Sequence, residues 1–364
     1  MDTLLQSANI AIRERCPLDS DEDVIVVFRR GTFLQLTFQT TGCKFNARGS
    51  CSMCNYGHGK APETDILLEK LYRILDEAEK MPTESILLGA SGSFLDTNEI
   101  PEILQDLILA AVLHSRIPNV IIETHYRSIN KAALERMARR LPNRKVELEI
   151  GLESANSWLR THILNKDIDS DAFENIIASA HRFGITITIN LLLGIPFLSE
   201  SAQLADTRSS IQWVLSKGAD YIVVFPVNIH PYTLFEWLYE KKKVRSTSLW
   251  LLFYLLAELD EHELEHISVS WYGNRTIRYA DRSSIPLHAC DSCRNALVNF
   301  FDDFSQNKDT LHRQTAIAKM KKAHFFCTCR ESVKSAISSE PIFHEVEYYA
   351  ARHEMEELIG RNGN

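Results

Sequence analysis

Six short apolar runs, separated by longer amphipathic stretches, constrain this chain more than any other feature. The runs are Thr32–Phe38, Ser85–Leu88, Val120–Ile122, Val146–Leu152, Ile185–Leu193 and Tyr221–Phe225. They are rich in Ile, Val and Leu, and nearly all are bounded by Gly, Pro or charged residues. Strands buried on both faces of a parallel sheet have this pattern. The intervening stretches Asp65–Lys80, Glu99–Ser115, Asn130–Leu141, Asp169–Phe183 and Ser199–Lys217 read as helices. Such β/α units in series predict an α/β fold with right-handed crossovers. After Pro226 the rhythm breaks. A helix over Ser248–His266, a strand over Ile267–Tyr272, a loop-rich segment and a charged terminal helix over Glu345–Ile359 are expected. The predicted boundaries are an N-terminal extension over 1–30, a barrel-like domain over 31–240 and a C-terminal region over 241–364.

Charge and cysteine usage narrow the function. The net charge of −8 argues mildly against a polynucleotide partner, because affinity for nucleic acid comes largely from neutralising phosphates. The basic stretches Arg136–Arg144 and Lys319–Lys322 read as solvated helix faces. No apolar run is long enough to span a bilayer, and the N-terminus has no secretory pattern, so a cytoplasmic protein without a membrane partner is expected. Seven of the eight cysteines fall in two groups, Cys43, Cys51 and Cys54, then Cys290, Cys293, Cys327 and Cys329; Cys16 stands apart. In a reducing compartment, close-spaced thiols read as metal ligands.

The first group follows the first predicted strand directly, in TTGCKFNARGSCSMCNYG. Three thiolates can hold three irons of a 4Fe–4S cubane and leave the fourth open to chelate the amino and carboxylate groups of S-adenosylmethionine (SAM). Zinc held by these cysteines with His58 is the alternative. A loop after a barrel strand is a catalytic address, which favours the cluster. Other strand ends add candidates. The second ends in Gly89, Ser91, Gly92 and Ser93, and the third in Glu123, with His125 and Arg127 following. In the fourth, Glu147, Glu149, Gly151 and Glu153 alternate onto one face, and inward charges are costly unless paired or functional. Asn190 and Gly194 mark the fifth. Asn228 and His230 follow the sixth and, with Glu149, are candidate substrate contacts.

The triplet after the first of six β/α units is similar to that of the radical SAM superfamily. The usual spacing there is C-x3-C-x2-C, whereas this chain has C-x7-C-x2-C. The phrases GSFLD, GLESAN, LNKD and LLLGIPFLSE resemble the branch containing the archaeosine-forming radical SAM enzymes and, more distantly, the Elongator catalytic subunit. The resemblance covers roughly residues 30–330. It implies a partial (β/α)6 TIM-like barrel with a C-terminal Cys-rich extension, and an enzyme that reductively cleaves SAM at a 4Fe–4S cluster. Met53 stands where the family often has an aromatic contact to the adenine. With Tyr56, Gly89, Ser91, Gly92, Ser93, Glu123, Glu153, Asn190 and Gly194 it makes up the expected cofactor-binding set. A small-molecule substrate in a biosynthetic pathway is the main expectation, by hydrogen abstraction or transfer of a SAM-derived group. A tRNA base is the alternative, and a non-catalytic zinc-bound scaffold is the least favoured reading. A reductant such as flavodoxin or ferredoxin is implied. The second cysteine group is expected to hold either zinc or an auxiliary iron–sulfur cluster.

Overall fold

The computed structural model describes residues 1–16, 23–57, 59–273, 278–279 and 282–362. The six apolar runs form the parallel strands β2 (Phe33–Phe38), β3 (Ser85–Ala90), β4 (Asn119–Glu123), β5 (Lys145–Glu153), β6 (Thr186–Leu193) and β7 (Tyr221–Pro226). Two further strands extend the sheet to eight, in the order β1 to β8. The first is β1 (Ile25–Arg30), antiparallel to β2. The other, β8 (Ile267–Val269), is parallel to β7 and shorter than the Ile267–Tyr272 run predicted for it. The sheet curls into a partial barrel with β1 and β8 as its edges.

Helix α1 (Thr3–Arg13) precedes the sheet, and α2 (Lys44–Ala47) is a single turn within the first cysteine loop. The crossovers are α3 (Thr64–Glu79), α4 (Glu102–His114), α5 (Lys131–Arg140), the short α6 (Ser157–His162) with α7 (Ser170–His181), and α8 (Glu200–Ser216). Polar residues fix several starts: Asn130, Asp169 and Ser199 accept hydrogen bonds from the first-turn amides of α5, α7 and α8. The crossovers bury their apolar faces on strands such as β3 and β6, where nearly every residue is buried.

After β7 come α9 (Leu234–Glu240), α10 (Leu249–Glu258) and α11 (Glu261–His266). The single helix expected over Ser248–His266 is therefore two. Asp260 and Glu263 form a capping box that starts α11 afresh. Seven of the ten α10 residues are buried, because helices pack around it on several sides. The segment expected to be loop-rich is largely helical beyond Cys290: α12 (Asp291–Gln306), α13 (Thr310–Lys322) and α14 (Cys329–Ile337) follow it. The terminal helix α15 (Glu345–Asn362) packs against α1.

Of the two basic stretches, Arg136–Arg144 directs three of its four arginines to α4 and its exit. Arg136 pairs with Glu102 at 2.7 Å, Arg140 with Asp106 at 2.5 Å, and Arg144 donates to the carbonyls of Leu113 and Ser115. Among the described residues, no helix is long and apolar enough to cross a membrane.

Candidate functional site

The loop bearing Cys43, Cys51 and Cys54 leaves the carboxyl end of β2 and sits over the mouth of the barrel. Its shape is imposed from two sides. From below, the amides of Cys51 and Ser52 donate to the carbonyls of Asn165 and Leu164, and Asn165 Nδ2 donates to Gly49 O at 2.7 Å. This docking holds Cys51 at φ 61°, a left-handed conformation that a β-carbon ordinarily avoids. From outside, the Arg13 guanidinium at the end of α1 donates to the carbonyls of Asn46, Ser50, Cys51 and Cys54. Arg13 is buried and reads the loop through its backbone, which fixes the loop's curvature without consuming a thiol.

The donor set suits a polynuclear group. A single tetrahedral zinc with Zn–S bonds of 2.3 Å needs sulfur–sulfur edges of about 3.8 Å. Among the described residues, the four thiols Cys290, Cys293, Cys327 and Cys329 have sulfurs all within 4.8 Å of one another, whereas Cys43, Cys51 and Cys54 do not. At least one edge of that triplet is therefore longer than a single zinc ion would span, which leaves room for a group with several metal corners. Burial pushes the Cys43 thiol up to about 12 and raises Cys51 and Cys54 as well. Thiolates in such a dry pocket need a cationic group to hold them ionised. His58, the fourth ligand of the zinc alternative, lies outside the described residues.

The turn after β3 faces this loop. Its Gly92 lets the Glu99 carboxylate lie against the backbone, in space that a β-carbon would take. Glu99 accepts from the Ser93 amide at 2.8 Å, and burial raises its pKa to about 7. Asp96 pairs with Lys44 of the cysteine loop at 2.5 Å. Ser91 is tied to Phe38 O, and the Ser93 hydroxyl meets Thr124 Oγ1 at 2.7 Å and accepts from the His125 amide. These two hydroxyls therefore serve the turn itself. Next to them, the His125 ring stacks on Phe45 with centroids 3.9 Å apart. Burial, followed by the Lys166 and Arg127 charges, lowers the His125 pKa to about 3 and keeps the ring neutral. Arg127 reaches Asp167 at 2.5 Å.

The inward face of β4, β5 and β6 carries the acidic groups predicted from alternation. Glu123 and Glu149 are register partners across β4 and β5. Burial, then repulsion from Glu123, pushes Glu149 up to about 8. Asn190 donates to Glu149 Oε1 at 2.9 Å, while its own Oδ1 is buried with no hydrogen-bond partner among the described residues. Glu147 is bound by the Thr188 hydroxyl at 2.5 Å. Glu153 ends β5 at φ 73° and forms a buried ion pair with Lys166 at 2.6 Å. Desolvation works against the Lys166 charge, but Glu153 and Cys51 outweigh it and raise the pKa.

The remaining predicted residues divide between the mouth and the scaffold. Gly194 follows β6 at φ +107°, with the Thr247 side chain occupying the space of its missing β-carbon. Met53 is half-buried against the apolar cluster of α1, α9 and α15, and the Tyr56 carbonyl accepts from the Cys43 amide at 2.5 Å. Asn228 donates to the carbonyls of Pro226 and Trp271, a structural tie. His230 Nδ1 lies 2.8 Å from Ser284 Oγ, with its ring edge-on to Trp271; burial lowers its pKa to about 4. Sequence reasoning assigned no role to Arg13, Lys44, Asp96, Glu99 or Lys166. Two of these sit within the singled-out phrases GSFLD and LNKD, the one signal that could have found them.

The second thiol group is also assembled. Cys290 caps α12, Cys293 lies in its first turn and Cys329 begins α14. The Cys290 and Cys293 sulfurs are 3.4 Å apart, and hydrogen bonds from Ser292 and Cys293 lower the Cys290 thiol to about 6. This compact set fits one tetrahedral ion.

Comparison with known proteins agrees with the geometry. Residues 38–206 match the family model of the radical SAM superfamily. The chain is 26% identical over 311 residues to the archaeosine synthase subunit beta of Methanosarcina acetivorans, covering 84% of this chain and 85% of that protein. It is 30% identical over 235 residues to the subunit of the same name from Thermococcus kodakarensis, covering 62% of this chain and 71% of that one. Among solved structures, methylornithine synthase superposes with a TM-score of 0.48 at 14% identity, over 92% of this chain and 94% of that one. Elp3 of Methanocaldococcus infernus does so at 0.47 and 12%, over 66% and 57%. The chain belongs to the radical SAM superfamily, enzymes that use a 4Fe–4S cluster and S-adenosylmethionine.

Proposed function

We propose that this enzyme acts on a modified base of tRNA. The observation that carries the reading is the similarity to archaeosine synthase beta subunits, which runs along most of both chains. It outweighs the acidic composition that favoured a small molecule, because net charge reports on the whole surface and not on a local footprint. The relatives' names mark them as one subunit of an assembly, so a partner subunit belongs to the proposal, as does a flavodoxin- or ferredoxin-type reductant.

In this reading Cys43, Cys51 and Cys54 hold the cluster, with Arg13 and the Leu164–Asn165 backbone fixing their loop. Bound there, the cluster and SAM supply reductive cleavage of a SAM carbon–sulfur bond and radical chemistry on the substrate. Glu99 and the turn after β3 offer acceptors to the cationic amino group of SAM. Lys166, held charged by Glu153, places a positive group beside the thiolates. Glu149 carries a proton near neutral pH and, with Asn190 Oδ1, presents a donor and an acceptor inside the barrel. Such a pair can read the edge of a base.

The test is anaerobic incubation of reconstituted enzyme with SAM, dithionite and tRNA, with SAM fragments and digested nucleosides identified by mass spectrometry. A changed tRNA nucleoside together with cleaved SAM is the expected result. Cys51→Ala should abolish both while leaving the circular dichroism spectrum intact. SAM cleavage that never alters tRNA, but consumes a small metabolite, would overturn the reading.

A further inference from the structure

The stretch Lys319–Lys334 contains five Lys or Arg residues against one acidic residue, Glu331, in a chain of net charge −8. In Arg136–Arg144, by contrast, Arg136 and Arg140 are paired with Glu102 and Asp106. Among the described residues no carboxylate forms an ion pair with Lys319, Lys322 or Lys334, and all three are exposed. Within the stretch two adjacent phenylalanines point opposite ways. Phe325 packs edge-on against the buried Trp250 with centroids 5.0 Å apart, while Phe326 is fully exposed. An aromatic ring held wholly in water contributes nothing to the core that Phe325 serves.

The segment that presents Phe326 is rigidly tied. Arg330 lies over the Trp250 ring at 5.5 Å and donates to the carbonyls of Ala323 and Lys321. Cys327 and Cys329 on its far side complete the four-thiol set. The same set is strapped to the barrel mouth. Cys290 ends a segment whose Ile285 and His288 bridge to Ile229 and Ser248, and whose Ser284 meets His230. Six residues of extended chain span at most about 20 Å, the reach of a few nucleotides.

We infer that the Cys290/Cys293/Cys327/Cys329 knuckle is an RNA-docking element: Phe326 stacks on an unpaired base of the tRNA while Lys319, Lys322 and Lys334 contact its phosphates. An exposed ring beside unpaired lysines on a preformed loop is the combination that binds splayed-out bases with little sequence preference. This inference rests on the tRNA reading above and names the part of the chain that would hold the substrate outside the reactive site.

The experiment measures binding of a fluorescent tRNA transcript to the full-length protein across a salt series. Phe326→Ala should weaken binding about 10-fold with the salt slope unchanged. The triple variant Lys319→Ala/Lys322→Ala/Lys334→Ala should weaken binding and lower the slope by about 2 to 3. Phe326→Trp should retain wild-type affinity. Zinc content and RNA-independent SAM cleavage should be unchanged in all of them, which separates docking from folding. Variants that bind tRNA as tightly as the wild type would overturn the docking element and leave the tRNA reading standing. A wild-type protein that fails to bind tRNA even at low salt would remove both.

Discussion

Glu149 shows how the barrel interior sets the state of a single side chain. Buried and facing Glu123, it titrates at about 8 in place of its ordinary 4.5. The folded state therefore keeps a proton that the unfolded chain releases. Its stabilising share is complete below about pH 4.5 and is lost as pH rises through 8. Between pH 5 and 9 the apoprotein's melting temperature should fall more steeply in the wild type than in Glu149→Gln. Parallel curves for the two proteins would show that Glu149 is ionised throughout. At this scale the sequence was readable where residue type alone implies chemistry. Three cysteines in one loop and glutamates alternating along a strand point to their roles. Arg13 and Lys166 carry no such signal, because their roles depend on backbone carbonyls and on a carboxylate brought close only by the fold.

Among the elements, α1 contributes most beyond its own packing. Its last residue, Arg13, satisfies carbonyls from four residues of the cysteine loop. Arg13→Met would leave these carbonyls with only their local donors, the Gly49 and Cys54 amides and the Asn46 side chain, at a cost on the order of 2 kcal/mol. Urea unfolding of the apoprotein should register that loss, and iron retained after reconstitution should drop with it. An unchanged unfolding midpoint would mean that the loop holds its own shape. The crossover helices were legible from their period, since each must bury one stripe against a strand. Strand β1 was not, because its Val26 and Val27 are exposed and its pairing is antiparallel, outside the β/α rhythm. The break between α10 and α11 escaped for a different reason: the apolar run of α10 hides the Asp260 capping box that follows it.

Across the whole molecule, the two thiol groups are separate devices. The compact four-sulfur set joins α12 and α14, elements that otherwise meet mainly through α10. A Cys43→Ala/Cys51→Ala/Cys54→Ala variant should retain about one zinc per chain by metal analysis. Cys290→Ser/Cys327→Ser should lose that zinc and lower the melting temperature while the first site still takes up iron. Loss of all metal from the first variant would show that the sites are not independent.

The packing of α1 against α15 also sets an order of events. Asp2 pairs with Arg352, 350 positions away, so α1 is braced by α15. During synthesis the cysteine loop and Arg13 emerge early, yet the surface that seats α1 is incomplete until residues 345–362 exist. The early thiols thus wait first for Leu164 and Asn165, then for α15, before their loop is held from both sides. A cluster that needs the finished geometry would load only after that, and until then the thiols stay open for it only in a reducing environment.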